Sequence, residues 1–294
     1  MTRPTITQDM ISAYDEYTHL TLDRRGFMEK LTKLAGSGAA AAAIAPMLAA
    51  SNAAAQQVPE DDNRLVAEDI TYPGGNGEMQ GYLVRMRDAA NPMPSVIVIH
   101  ENRGLNPHIR DVARRLALQG FLVLAPDFLS PDGGTPEDED RAREKIGALD
   151  AAETIANATA TVAFLEGHES SNGRVGAVGF CWGGGMVNDL AAASEDLVAG
   201  VAYYGRQAAA EQVPNIRAAL MLHYAGLDDR INAGIEAYEA ALKEHGVEYQ
   251  LFMYEGSNHA FNNDTSSARF DPVAAAVAWE RTLAFFREKL ATPA

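Results

Sequence analysis

"RVGAVGFCWGGGM", Arg174–Met186, is the stretch whose reading decides the fold. Val175, Ala177 and Val178 form a short apolar run suited to a buried strand. Gly179 and Gly183 then flank Cys181, and helical spacing takes over through "MVNDLAAA". A nucleophile raised on a tight strand-to-helix turn takes the form G-x-nucleophile-x-G. Its glycines let neighbouring backbone approach closely. Cys181 is the only cysteine of the chain, so no disulfide forms within it. The plain alternative for a lone cysteine is a small buried hydrophobe.

Outward from this stretch, strands alternate with helices. "LVAEDITYP" and "EMQGYLVRM" flank "GGNG" and read as a hairpin. "SVIVIHE" and "FLVLAPD" are apolar runs suited to central strands, with the helical pattern "HIRDVARRLALQG" between them. "SPDGGTPEDEDRAR" reads as a loop leading into a charged helix, and "DAAETIANATATVAFLEGH" as a long helix. Beyond the elbow, "LVAGVAYYG", "AALMLHYAG" and "VEYQLFMYEG" add three strands, and "AGIEAYEAALKEHG" and "PVAAAVAWERTLAFFREKL" add helices. The expectation is an α/β fold: a mostly parallel sheet of about eight strands covered by helices on both faces.

The chain has 294 residues, is 47% hydrophobic and carries a net charge of −16. That is enough apolar residue for a sizeable core. The acidic balance argues against nucleic acid, which needs clustered Lys and Arg. The seven histidines include no HExxH or Cys/His cluster, and no phosphate loop ends in Lys-Ser/Thr. Neither a metal nor a cofactor is expected.

The first 55 residues read as an address. Arg24-Arg25 and Phe27-Met28 precede an Ala/Gly-rich stretch from about Leu34 to Ala50, which ends in the small-residue run Ala53-Ala54-Ala55. This resembles a bacterial twin-arginine export signal, with Glu29 and Asp23 as departures from the usual pattern. Gly36, Gly38 and Pro46 interrupt the apolar stretch, so no stable membrane span is expected. The division that follows is 1–55 export signal, 56–64 polar linker and 65–294 a single domain. The expected location is periplasmic or secreted, with the cytoplasm as the alternative.

An elbow needs a base and an orienting acid, in the order nucleophile, acid, His. "HYAGLDDRI" places Asp228 just past a strand, and "YEGSNHAFNND" places His259 just past the last one. Sites on open α/β sheets form at such strand ends. Asp229 competes with Asp228 for the role of acid. Taken singly, the aspartate reads as a turn residue and the histidine as a surface one; the ordered set reads as a triad.

These pieces, "GFCWGG", "AGLDD" and "SNHAF", together with "VIVIHENRGLN", resemble the dienelactone hydrolase family from about Leu65 to Leu290. The resemblance implies the α/β-hydrolase fold and cofactor-free cleavage of a small ester or lactone through a cysteine acyl-enzyme. It implies that Glu101 holds or releases the proton of Cys181. On that mechanism the backbone N–H groups of Trp182 and Asn102 would form the oxyanion hole. For substrate contacts it points to Arg103 and Arg206, and Arg141 and Arg143 lie in a region where the family also carries such contacts. Read from their places near strand ends, Trp182, Tyr204 and Phe261 are the candidate pocket walls, with the core as the plain alternative. The competing readings are another α/β-hydrolase activity, such as thioester cleavage, and a non-catalytic small-molecule binding protein on the same fold.

Overall fold

The computed structural model describes residues 5–19, 21–49, 56–89 and 92–292. Its core is one sheet of eight strands: β1 (Leu65–Pro73), β2 (Glu78–Met86), β3 (Met93–Ile99), β4 (Leu122–Asp127), β5 (Ser171–Phe180), β6 (Leu197–Tyr203), β7 (Ala219–Ala225) and β8 (Tyr249–Tyr254). The strand order is β1-β2-β4-β3-β5-β6-β7-β8. The β1–β2 and β2–β4 pairs are antiparallel; every later pair is parallel. The expected α/β architecture is present.

The strand sequences explain the layering. β3 sends Val96 and Val98 to one face and Ile97 and Ile99 to the other, all buried. Each such side chain contributes about 1.5–3 kcal/mol by leaving water. On the first face lie the apolar residues, about one turn apart, of the helices that follow β3 and β8. Among them are Ile109, Val112 and Leu116, and Ala278, Leu283 and Phe286. On the second lie Ala158, Val162 and Leu165, then Val187 and Leu190, then Tyr238 and Leu242.

Three helices precede the sheet: α1 (Gln8–Thr18), α2 (Arg24–Ala35) and α3 (Gly38–Leu48). They share their own apolar cluster, which includes Met10, Tyr14, Phe27, Leu31 and Ile44. The sequence pointed to a leader here and gave no sign of where it would rest. In the structure it docks over the C-terminal ends of the strands. Asp15 pairs with Arg269 at 3.0 Å, Asn102 Nδ2 donates to the Thr18 carbonyl, and Tyr17 donates to Asp140. Among the described residues no single helix is long and apolar enough to cross a membrane. α2 and α3 together meet that length and composition, but they are bent by 113°. Ala53-Ala54-Ala55 lie outside the described residues.

The stretch read as a polar linker is tethered rather than free. Val58 is buried; its N–H donates to Asp111 Oδ1 at 2.8 Å and its carbonyl accepts from Arg114 Nε at 2.8 Å. Asp111 and Arg114 are themselves buried, so each needs a polar partner inside the protein. Val58 supplies one to both.

The remaining helices are α4 (Pro107–Ala117), α5 (Glu139–Gly147), α6 (Ala151–Glu166), α7 (Trp182–Ala193), the single turn α8 (Asp229–Asn232), α9 (Ile235–Glu244) and α10 (Pro272–Lys289). Several begin where the sequence marks a start. Asn106 caps α4 ahead of Pro107, and Asp271 caps α10 ahead of Pro272.

Candidate active site

Cys181 sits between β5 and α7 with φ of 56°. A side-chain-bearing residue in that region costs about 1–3 kcal/mol and persists only where its surroundings impose it. Two close approaches impose it here. A Cβ on Gly179 would lie 2.1 Å from the carbonyl oxygen of Gly183, and one on Gly183 would lie 2.4 Å from that of Ile99. The glycines let the start of α7 press against β5 and β3, and the turn lifts Cys181 out of the sheet. Its N–H is anchored to the Tyr203 carbonyl at 3.0 Å.

The two partners expected from chain order converge. His259 Nδ1 donates to Asp228 Oδ2 at 2.5 Å, and both residues are buried. A carboxylate can only accept, so Nδ1 carries the proton and Nε2 is left facing the cysteine. Asp228 is held by its own place in the chain: it caps α8, accepting from the Ile231 N–H at 3.3 Å. Asp229, the sequence competitor, is exposed. Burial disfavours charge on all three groups. On Asp228 the neighbouring His259 outweighs burial, and its carboxyl lies below the ordinary range. Burial likewise opposes a thiolate at Cys181, yet His259 and then His19 outweigh it and lower the thiol. For His259, Cys181 and Asp228 overcome burial and raise the imidazole. Opposite shifts of thiol and imidazole favour a thiolate–imidazolium pair.

Glu101 is buried at the end of β3, but no hydrogen bond joins it to Cys181. Its Oε2 accepts from Asn263 Nδ2 at 2.9 Å. The proton-holding role implied for Glu101 is thus not the arrangement in this structure. The sulfur instead makes a side-chain contact with His19, whose Nε2 lies 3.5 Å from Sγ. No sequence signal marked His19: it lies 162 residues from Cys181, in the stretch read as a leader.

A cavity of about 220 Å³ opens beside the sulfur, and Asn102, Arg143, Trp182, Tyr204, Arg206 and His259 are among its walls. Trp182 begins α7, so its N–H has no intrahelical partner. Its ring stacks on His100 at 5.3 Å between centroids. Tyr204 lies against the His259 ring at 4.9 Å. Arg206 reaches the cavity while paired with Asp189.

Two residues expected as substrate contacts are not on this cavity's wall. Phe261 is fully buried among Tyr203, Tyr204 and Tyr254 and is absent from the cavity wall; its position after the last strand turns it into the core. Arg103 is buried too; it is not on this wall but lines a smaller cavity of about 10 Å³ together with Cys181 and His259, and its guanidinium donates to the Tyr14 hydroxyl and lies 3.4 Å from Glu139. Arg141 is exposed. Arg143, two residues on, is buried with its guanidinium 4.1 Å from the Tyr17 ring centroid, and its Nε has no partner.

Comparison with known proteins bears on the family and the fold. The family model "Dienelactone hydrolase family" matches residues 79–290. A protein of Escherichia coli O157:H7 described as "Putative carboxymethylenebutenolidase" is 30% identical over 255 residues, covering 82% of this chain and 93% of that one. A shorter Escherichia coli K12 protein, "Putative hydrolase fragment YghX", is 50% identical over 106 residues, which are 35% of this chain and 91% of its own. The crystal structure titled "Putative Dienelactone Hydrolase" from Klebsiella pneumoniae superposes with a TM-score of 0.70 at 27% identity, over 77% of this chain and all of that one. With the elbow, the acid and the histidine in family order on an eight-stranded sheet, the chain belongs to the dienelactone hydrolase family.

Proposed function

We propose that the protein hydrolyses a small ester or lactone through Cys181, with His259 as the base and Asp228 as its orienting acid. The observation that carries this is the buried 2.5 Å contact between Asp228 and His259, with the His259 ring turned toward a strained, cavity-facing cysteine. With the thiol proton already on His259 Nε2, the Sγ thiolate forms a bond to the carbonyl carbon as the C=O π bond opens onto its oxygen. The oxygen that becomes negative is received by the N–H groups of Trp182 and Asn102. Loss of one such donor typically costs 10²–10³-fold in rate. The C–O bond to the leaving group then breaks, and that oxygen takes its proton from His259. Water gives a proton to His259 and attacks the thioester. The acid departs and the thiolate–imidazolium pair is restored.

The cavity suits a small substrate, and Arg143 with Arg206 on its wall favours one that carries a carboxylate. A panel of chromogenic esters, lactones and thioesters, read by turnover and by the intact mass of the trapped acyl-enzyme, tests the assignment. Turnover with a single acyl adduct on Cys181 is expected for esters or lactones. Turnover confined to thioesters would move the substrate class, and neither turnover nor adduct across the panel would favour a binding protein.

We also propose that residues 1–55 direct export, with Arg24-Arg25 as the recognised pair. Arg24 and Arg25 are both exposed on the docked segment, where a receptor could reach them without unfolding the domain. The double change Arg24→Lys, Arg25→Lys is expected to leave the chain in the cytoplasm. Unchanged secretion of that variant would remove the proposal.

A further inference from the structure

We infer that His19, Cys181 and His259 form a binding site for one thiophilic divalent cation of the zinc class. One ring nitrogen from each histidine and the cysteine sulfur all lie within 4.8 Å of one another. A tetrahedral zinc ion with Zn–S of about 2.3 Å and Zn–N of about 2.0–2.1 Å sets its sulfur and nitrogen ligands roughly 3.6 Å apart. The His19 Nε2–Sγ separation is 3.5 Å. The two imidazoles meet edge to face, with centroids 4.7 Å apart and planes at 86°, so their nitrogens approach the sulfur from different directions.

Both rings are prepared as ligands. His19 Nδ1 lies 2.7 Å from the Asp15 carbonyl oxygen, which can only accept, so the proton is on Nδ1 and the Nε2 lone pair faces the sulfur. Asp228 fixes His259 in the same way. A ring N–H held by a carbonyl or a carboxylate is the usual support behind a metal-bound histidine. Asp15 is pinned in turn by Arg269 at 3.0 Å. Three potential donor atoms thus converge, and among the described residues the buried His259 Nε2 has no hydrogen-bond partner. A divalent cation engages all three at once. Thiolate with imidazole is a donor set that suits zinc, and the cavity beside the sulfur leaves room for a water as fourth ligand.

Binding releases the thiol proton, forms one metal–sulfur and two metal–nitrogen bonds, and changes no oxidation state. It also occupies the sulfur and the His259 nitrogen that the proposed hydrolysis uses, so the inhibitory consequence rests on that reading. His19 lies within the segment read as a leader, so the site would exist only while that segment remains attached.

The test is Co²⁺ titration of the metal-free full chain, read by thiolate-to-cobalt charge-transfer absorption, with Zn²⁺ competition to give stoichiometry and affinity. One equivalent with a charge-transfer band is expected. His19→Ala should weaken Zn²⁺ binding by about 100-fold or more, beyond the 10–100-fold typical of losing an outer-shell partner. Cys181→Ser should abolish the band. Circular dichroism confirms that each variant is folded. No charge-transfer band in the wild type, or Zn²⁺ affinity unchanged by His19→Ala, overturns the site. Ester turnover of the metal-free chain is measured in parallel. Failed cobalt binding with turnover intact removes only this inference, and bound cobalt without turnover removes only the hydrolase mechanism.

Discussion

Cys181→Ala is expected to lower kcat/KM for an activated aryl ester by on the order of 10⁴-fold or more, the scale seen when a nucleophile is removed from a catalytic triad. The change deletes the sulfur and little else. Alanine keeps a Cβ at the same φ of 56°, so the strain of the turn is retained and the fold is compared like with like. Glycine would relieve that strain and confuse the result. The backbone N–H that anchors position 181 to the Tyr203 carbonyl is also kept. Residual turnover would then measure what the oxyanion donors and the cavity achieve without a covalent step. Activity within tenfold of wild type, in a folded variant, would sink the cysteine mechanism.

The reach of the sequence follows from how local each feature is. The elbow was legible because its parts are contiguous: a buried apolar run, glycines two residues either side of a cysteine, and a helix. The strand and helix alternation was legible for the same reason, since period and length are properties of short windows. Asp228 and His259 were reachable through their positions at strand ends. Choosing between Asp228 and Asp229 needed burial, because adjacent residues differ only in the direction they face. Side-chain direction after a strand end also defeated the reading of Phe261: it belongs to no periodic element, so nothing in the pattern told core from cavity.

Glu101 shows a related limit. Its place near the elbow came only from the family resemblance, since by itself it reads as a strand-end carboxylate in solvent, and Asn263, which holds its carboxylate, lies far along the chain. His19 is the extreme case. Arg24-Arg25, the alanine run and the small-residue end gave the N-terminal segment a complete account as an address, so no feature of it called for a second role. Only the docking of α1, through Tyr14 on Arg103 and Asp15 on Arg269, carries His19 to the sulfur.

Asp228→Asn is expected to lower kcat by about 10⁴-fold with a much smaller change in KM; a carboxylate-to-amide change behind a triad histidine has that scale. The carboxylate performs two tasks at 2.5 Å from His259 Nδ1. It fixes the tautomer that leaves Nε2 free for the thiol proton, and it stabilises the imidazolium formed when that proton arrives. An amide can present its NH2 to the ring, which reverses the tautomer, and it carries no charge in either orientation. Structure is spared, because the amide oxygen can still accept the Ile231 N–H at the start of α8. The cavity wall does not include Asp228, so ground-state binding has no direct contact to lose. Asp229→Asn is the matched control: that side chain is exposed, and its variant should keep near-wild-type turnover. Equal losses in the two variants, or a loss at Asp228 that appears in KM rather than kcat, would remove Asp228 from the role of orienting acid and leave His259 to act without it.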